Sequence, residues 1–156
     1  MKKILTCIII GIMLTACSEE KNSNPATIVD TQISIKYVNQ NGENLFEIDK
    51  GYDLSHVDIY HKIDNEWVRY FEGNLDHPEG IKLVERENGT YFVVRPSTEI
   101  VKDNYSLTKI ELSQSDSDTI RTEVDKSNSN VIATKVWYNG QLKWEGPDER
   151  MFTIVK

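Results

Sequence analysis

The chain has 156 residues with a formal net charge of −7, and 28% of its residues are charged. A hydrophobic fraction of 38% is typical of a folded globular protein and argues against an intrinsically disordered chain. The acidic balance disfavours nucleic acid and anionic lipid headgroups as partners, because the long-range electric field of the protein repels both.

The first sixteen residues are predicted to be a signal peptide. Lys2 and Lys3 form a short cationic region, and an almost unbroken apolar run follows over 4–14. A membrane-spanning helix needs about 20 apolar residues. This run is therefore too short to span and indicates the hydrophobic region of a signal peptide.

The segment Leu14-Thr15-Ala16-Cys17 resembles the lipobox of bacterial lipoproteins. The resemblance implies addition of diacylglycerol to the Cys17 sulfur and cleavage between Ala16 and Cys17. Two or three acyl chains give stable anchoring, so we expect a mature protein that is bound to a membrane through Cys17. The alternative is an ordinary secretory signal that happens to end at a cysteine.

Residues 17–27 are polar, contain Pro25 and lack apolar periodicity, which predicts an acylated tether. Ser18-Glu19-Glu20 resembles the signal that exports lipoproteins of Bacteroidota to the outer leaflet of the outer membrane. That resemblance implies an outer-membrane location and display at the cell surface, with the inner leaflet as the other possibility. Cys7 would leave with the signal peptide, so we expect no disulfide in the mature domain.

Residues 28–156 are predicted to form a single all-β domain. Apolar and polar residues alternate in short runs that are separated by turn signals, and no helical period is sustained. We expect an immunoglobulin-like antiparallel β-sandwich. The whole chain also resembles the small envelope lipoproteins of Bacteroidota that carry one such sandwich and often have no assigned function.

The turn sequences predict which side chains face the core. A two-residue turn at Asn139-Gly140 would place Trp137, Leu142 and Trp144 inside, together with Val131 and Ala133, and Val136 outside. A three-residue loop at 64–66 would pair Ile63 with Trp67 and would also place that tryptophan inside. The aromatic residues expected on outer faces are tyrosines: Tyr60, Tyr70, Tyr91 and Tyr138.

A candidate ligand site lies around the turn at Asn88-Gly89. The predicted register leaves Ile81, Leu83, Phe92 and Val94 inside and puts four residues on one outer face: Lys82, Arg86, Tyr91 and Arg95. Lys82 would lie directly opposite Arg95, and like charges in that position repel. An acidic group must offset this repulsion, either on a neighbouring strand or on a ligand that carries carboxylate, sulfate or phosphate.

The sequence contains no recognisable catalytic or metal-binding motif. His56, His61 and His77 match no zinc-site spacing, and Asp116 and Asp118 lack the glycine and glutamate of a calcium loop. We therefore expect no enzyme activity, cofactor or metal. The sequence favours a non-enzymatic binding or accessory module that meets a glycan or another envelope protein. The alternative is a structural or assembly subunit of an outer-membrane complex.

Overall fold

The computed structural model describes residues 27–156, so the predicted signal peptide, Cys17 and the tether up to residue 26 lie outside the described residues. Eleven strands, numbered here in chain order, form within the described part of the chain. They are β1 (Val29–Asp30), β2 (Ile33–Val38), β3 (Asp58–Ile63), β4 (Glu66–Arg69), β5 (Ile81–Arg86), β6 (Gly89–Val94), β7 (Tyr105–Ser113), β8 (Asp116–Asp125), β9 (Val131–Tyr138), β10 (Gln141–Glu145) and β11 (Met151–Val155).

The strands form two sheets that pack face to face, which confirms the predicted all-β sandwich. The larger sheet has the order β1-β9-β8-β7-β3-β4, with β10 also paired to β9, and the smaller has the order β11-β2-β6-β5. Pairing is antiparallel except at two edges, where β1 runs parallel to β9 and β11 runs parallel to β2.

The core lies between the sheets and is built from alternate positions of the central strands. Its fully buried members include Tyr37, Phe92, Ile110 and Ile120. The ring of Phe46 stacks on that of Phe92 with 5.6 Å between centroids, and Tyr37 meets Phe92 edge-on at 5.9 Å. Each large side chain buried here contributes about 1.5–3 kcal/mol to stability.

One end of the core contains a buried ionic network. The Asp118 side chain is only 3% exposed and accepts hydrogen bonds from the Tyr138 hydroxyl and the Lys156 ammonium group. The same ammonium group is 2.8 Å from Oδ1 of Asp116, whose Oδ2 accepts from the Tyr52 hydroxyl. The Lys156 ammonium group therefore forms ion pairs with two carboxylates that the fold has removed from much of the solvent.

Replacing Lys156 with methionine is expected to destabilise the protein by about 3–5 kcal/mol, because the buried Asp118 side chain would lose its cationic partner. The K156M/D118N double variant is expected to recover part of this loss. Urea denaturation measures both effects, and Lys50→Met, at an exposed position, serves as the control. Equal stability of K156M and K50M would contradict this description of the network.

Stability should also fall in acid through Asp116. Burial alone would raise the pKa of this carboxyl, but hydrogen bonds from Lys156 and Tyr52 and the nearby charge of Lys156 leave the pKa below its ordinary value. The folded protein therefore binds this proton more weakly than the unfolded chain, and the stabilisation is lost as the pH falls through the folded pKa. Asp116→Asn should flatten the decline in unfolding free energy between pH 5 and pH 2, roughly the window expected for such a group. An unchanged slope would contradict the assignment.

The turn between β3 and β4 differs from the predicted three-residue loop. Asp64 and Asn65 alone form the turn, with φ of 48° and 70°, and Ile63 pairs with Glu66. Positive φ at both central positions is the geometry of a type I′ turn. Trp67 consequently pairs with Lys62 rather than Ile63. A register change of one residue moves a side chain to the opposite face, so the prediction of an inward Trp67 was wrong.

Two irregularities correct the predicted faces of β9 and β10. The Asn139-Gly140 turn and the pairing of Trp137 with Leu142 are confirmed. However, Val124 pairs with Ala133 and Glu123 pairs with Lys135, so Thr134 is an extra residue, a β-bulge. Beyond the bulge the alternation is reversed. Val136 and Tyr138 are therefore buried and Trp137 faces outward, contrary to prediction, while Ala133 is buried as predicted.

A further register shift separates Leu142 from Trp144 in β10. The side chain of Leu142 is 50% exposed, which overturns its predicted place in the core. Trp144 packs against the edge of the core, in agreement with the prediction.

The β5–β6 turn lies one residue earlier than predicted, at Glu87-Asn88, because Arg86 pairs with Gly89. Lys82 is therefore opposite Val93, and the predicted opposition of Lys82 and Arg95 was wrong. The register changes by two positions in total, which preserves the face of every side chain. Accordingly, the predicted inner residues are buried or packed against the core: Ile81, Leu83, Phe92 and Val94.

Candidate functional site

The outer face of the larger sheet carries a band of aromatic and cationic side chains, which we call the aromatic face. Its members are Tyr60, Lys62, Trp67, Tyr105, Lys109, Arg121 and Trp137, and each is partly exposed. They come from β3, β4, β7, β8 and β9, so the band crosses the centre of the sheet. Its existence depends on the turn at Asp64-Asn65 and on the bulge at Thr134.

One end of the aromatic face is a cluster around Trp67. The Lys62 ammonium group lies 5.0 Å from the centroid of the Trp67 ring, and that of Lys109 lies 4.1 Å from the Tyr60 centroid. Lys109 also forms an ion pair of 2.5 Å with Glu111. Burial, together with the neighbouring Glu111 carboxylate, raises the pKa of Tyr60, so its hydroxyl stays protonated and able to donate.

The other end of the aromatic face is a cluster around Arg121. Its guanidinium carbon lies 4.1 Å from the Trp137 centroid and 4.9 Å from the Tyr105 centroid. The two rings meet edge to face at 78°, with centroids 5.4 Å apart. The guanidinium is thus in contact with both rings, a stable arrangement for a planar and weakly hydrated cation.

The two clusters lie on one row of the sheet. Trp67 pairs with Lys62 on β3. The β3–β7 ladder ends at His61 and Thr108, so Lys62 and Leu107 are the next residues along it. Leu107 pairs with Arg121, which pairs with Trp137. Strands are about 4.8 Å apart, so four strand steps separate Trp67 from Trp137 by about 19 Å. Such a surface can accommodate an extended ligand with flat apolar faces and polar edges. Pyranose rings have that character, because their C–H faces pack on aromatic π-faces.

A second candidate is a cavity at the edge where β1, β9 and β10 approach β11. This cleft of about 840 Å³ is lined by Trp144, the segment 146–150 and Lys135. Its cations are already paired: Arg150 with Asp30, Arg86 with Glu149, and Lys135 with Glu145. The hydrogen bond with Glu145 and the charge of Glu123 raise the pKa of Lys135. These charged groups neutralise one another, so the cleft is the weaker candidate for a binding site.

Arg150 fixes this edge of the sandwich. Its side chain is 12% exposed, and its two Nη atoms hold both oxygens of Asp30, at 2.8 and 2.6 Å. Nη1 and Nε also donate to the carbonyl oxygens of Gln32 and Ala133. The guanidinium lies 5.2 Å from the Trp144 ring. One side chain thus joins β1, β9 and the segment before β11.

The structure does not bring the four residues of the sequence-predicted site together. Lys82 and Arg95 line a small cleft of about 220 Å³ near His77, whereas Arg86 lies at the other end of β5. Arg86 forms a 2.6 Å ion pair with Glu149. Its guanidinium carbon lies 5.4 Å from the centroid of the Tyr91 ring, and Tyr91 is buried. The sequence predicted that an acidic group lies beside these cations. For Arg86 that group is the Glu149 side chain of the protein itself.

Of the four tyrosines expected outside, the structure leaves only Tyr60 on the outer face of the larger sheet. Tyr138 is buried beside Tyr37, and Tyr70 packs against the buried ring of His61 with centroids 4.5 Å apart. The sequence analysis missed the aromatic face because it placed Trp67 and Trp137 inside. The turn-forming pair Asp64-Asn65 was the available signal for Trp67, since both residue types tolerate positive φ.

Across residues 27–156, no group of three or more potential ligands is placed to hold a metal ion. In the same part of the chain, no helix has the length and apolar character needed to cross a membrane. No family model, curated protein or solved structure matches this chain.

Arg150→Lys is expected to destabilise the protein by about 1.5–3 kcal/mol, because lysine keeps the charge but cannot reproduce the forked hydrogen bonds. Arg69→Lys is the matched control. Its partner is also an aspartate, Asp58, but the pair is largely exposed to solvent, so a clearly smaller loss is expected. Thermal or urea unfolding measures both, and equal losses would contradict the structural role of Arg150.

Proposed function

We propose that this protein is a non-enzymatic glycan-binding module, held at the bacterial outer membrane through lipid on Cys17, and that the aromatic face is its binding surface. The observation that carries the proposal is the outward position of two tryptophans, Trp67 and Trp137, on the same row of one sheet. Large aromatic rings on a solvated sheet face are unusual unless a ligand or partner covers them.

The polar groups of the face support a glycan over a purely apolar partner. Cations and carboxylates are interleaved with the rings, as in the contacts of Lys62 with Trp67 and of Lys109 with Tyr60 and Glu111. Such a surface offers hydrogen bonds to ligand hydroxyls beside every ring. The face also spans five neighbouring strands of the larger sheet, from β9 to the edge strand β4, and side chains on paired strands are held in a fixed arrangement.

The anchor supports the location. The lipobox-like segment ending at Cys17 and the polar tether after it would hold the domain close to a bilayer, where envelope and extracellular polysaccharides are encountered. The acidic balance of the chain matches a surface role, because it disfavours adsorption to anionic headgroups.

Trp67→Ala and Trp137→Ala are each expected to weaken glycan binding by about tenfold or more, since an aromatic stacking contact contributes about 1–3 kcal/mol and 1.4 kcal/mol is tenfold. The measurement is affinity electrophoresis of the purified full chain, in mild detergent, through gels containing xylan, laminarin, dextran or polygalacturonate.

The matched control is Phe71→Ala, which removes an aromatic side chain that is 63% exposed and lies outside the aromatic face. Its binding should equal that of the unaltered protein. Failure of the unaltered protein to be retarded by any of the four polysaccharides would overturn the proposal. Retardation that is the same in both tryptophan variants would also overturn it.

A second candidate function is an assembly subunit of an outer-membrane complex. The observation that favours it is the edge strand β4, where Val68 is 45% exposed and Phe71 follows at the strand end. An exposed apolar edge strand can pair with a strand of another chain. On this alternative Phe71→Ala would abolish co-purification of a partner after mild detergent extraction, while Trp137→Ala would preserve it.

A further inference from the structure

We infer that the glycan bound by the aromatic face is acidic, carrying carboxylate or sulfate groups, and that Arg121 is the residue that receives them. This inference rests on the proposed glycan-binding function and specifies its ligand class. The observation behind it is a cation that is fixed in place by packing but has no acidic partner within the described chain.

Arg121 and Lys62 take part in none of the ion pairs found on this side of the sheet among the described residues. Arg69 is paired with Asp58, Lys109 with Glu111, and Lys135 with Glu145. The remaining nearby carboxylate, Glu123, accepts a hydrogen bond of 2.8 Å from Thr134. In the described part of the chain, neither Arg121 nor Lys62 has a carboxylate oxygen within 4.0 Å.

Arg121 contrasts with Arg150, the other arginine of residues 27–156 that packs against a tryptophan. Arg150 also packs against a tryptophan, and each of its three guanidinium nitrogens donates to a carboxylate or carbonyl oxygen. Nε of Arg121 is shielded from solvent and has no hydrogen-bond partner among the described residues. An arginine with only a structural role should resemble Arg150, because an unsatisfied buried donor costs stability.

The position of Arg121 suits an oxyanion on a ligand that stacks on the neighbouring rings. Contacts with Tyr105 and Trp137 hold the guanidinium plane, which reduces the entropy lost when a ligand binds. The two Nη atoms of Arg121, unlike Nε, are not shielded from solvent, so they are the donors that a ligand can reach. Together they can bind carboxylate or sulfate through two parallel hydrogen bonds, which a lysine cannot reproduce. A sugar ring on Trp137 would place its substituents beside these donors.

Lys62 extends the same argument to a repeating ligand. It lies on β3, two strand steps from Arg121 on β8, a separation of about 10 Å. Both cations share the row that begins at Trp67 and ends at Trp137. A polysaccharide with acidic groups at intervals could meet both while its rings stack at the two ends.

The test compares polysaccharides that differ only in charge: polygalacturonate against its methyl ester for carboxylate, and dextran sulfate against dextran for sulfate. Arg121→Gln should weaken binding to the charged member of the relevant pair by about tenfold, the scale of one charge-assisted contact. Binding to the uncharged member should change less than about twofold, since stacking is retained. The affinity of Arg121→Lys for the charged member should fall between those of the unaltered protein and Arg121→Gln. Denaturation curves establish that each variant is folded.

Lys82→Gln is the matched control, because it removes one cation from the smaller sheet, at the site predicted from the sequence. Its affinities should equal those of the unaltered protein. The acidic ligand would be overturned, and glycan binding left intact, by two results together. The unaltered protein would bind the charged and uncharged members equally, and Arg121→Gln would not change the ratio of the two affinities. Binding to neither member of either pair, with retardation by xylan or laminarin retained, would overturn the acidic ligand alone, and no retardation by any of the polysaccharides would overturn both proposals.

Discussion

Side chains alternate strictly between the two faces of a β-strand, and in this protein two local backbone features set the phase of that alternation. The turn at Asp64-Asn65 uses two residues and thereby directs Trp67 away from the core. The bulge at Thr134 reverses the alternation along β9 and directs Trp137 to the same outer face. Each feature shifts the alternation by a single residue, and together they produce the aromatic face.

The rest of the molecule holds this face in place without contributing to it. The aromatic core around Tyr37, Phe46 and Phe92 keeps the sheets together. The ionic network of Lys156 and Asp118 closes one end of the interior, and Arg150 joins the strands at one edge. Because buried and bonded groups fix the sheet, the partly exposed rings of Trp67 and Trp137 are presented by rigid strands rather than by loops.

The distribution of charge also distinguishes the edge cleft, which has a structural role, from the aromatic face, which we propose binds the ligand. In the edge cleft, Arg150, Arg86 and Lys135 each meet a carboxylate, so the larger volume carries little net attraction for a charged ligand. On the aromatic face, Arg121 contacts two rings and has no carboxylate oxygen of residues 27–156 within 4.0 Å. In a chain of net charge −7, a cation left without a partner is the stronger indication of a binding surface.

The sequence was sufficient to predict the sandwich and the inner residues of β5 and β6. An alternation of period two is unchanged when the pairing register shifts by two residues. The sequence was insufficient for Trp67 and Trp137, because loop length and bulges change the alternation in steps of one. A bulge at Thr134 depends on pairing with Glu123 and Val124 on a neighbouring strand, a relation that no local pattern contains. The buried position of Tyr138 follows from that same pairing.

The most direct test of the central claim is a map of the ligand contact by two-dimensional NMR of the full chain in detergent micelles, titrated with oligogalacturonate. The three tryptophan indole N–H signals report on three places: Trp67 and Trp137 on the aromatic face and Trp144 in the edge cleft. The account predicts concentration-dependent shifts of the Trp67 and Trp137 indole signals and none for Trp144. Shifts confined to Trp144, or none at any of the three, would contradict it.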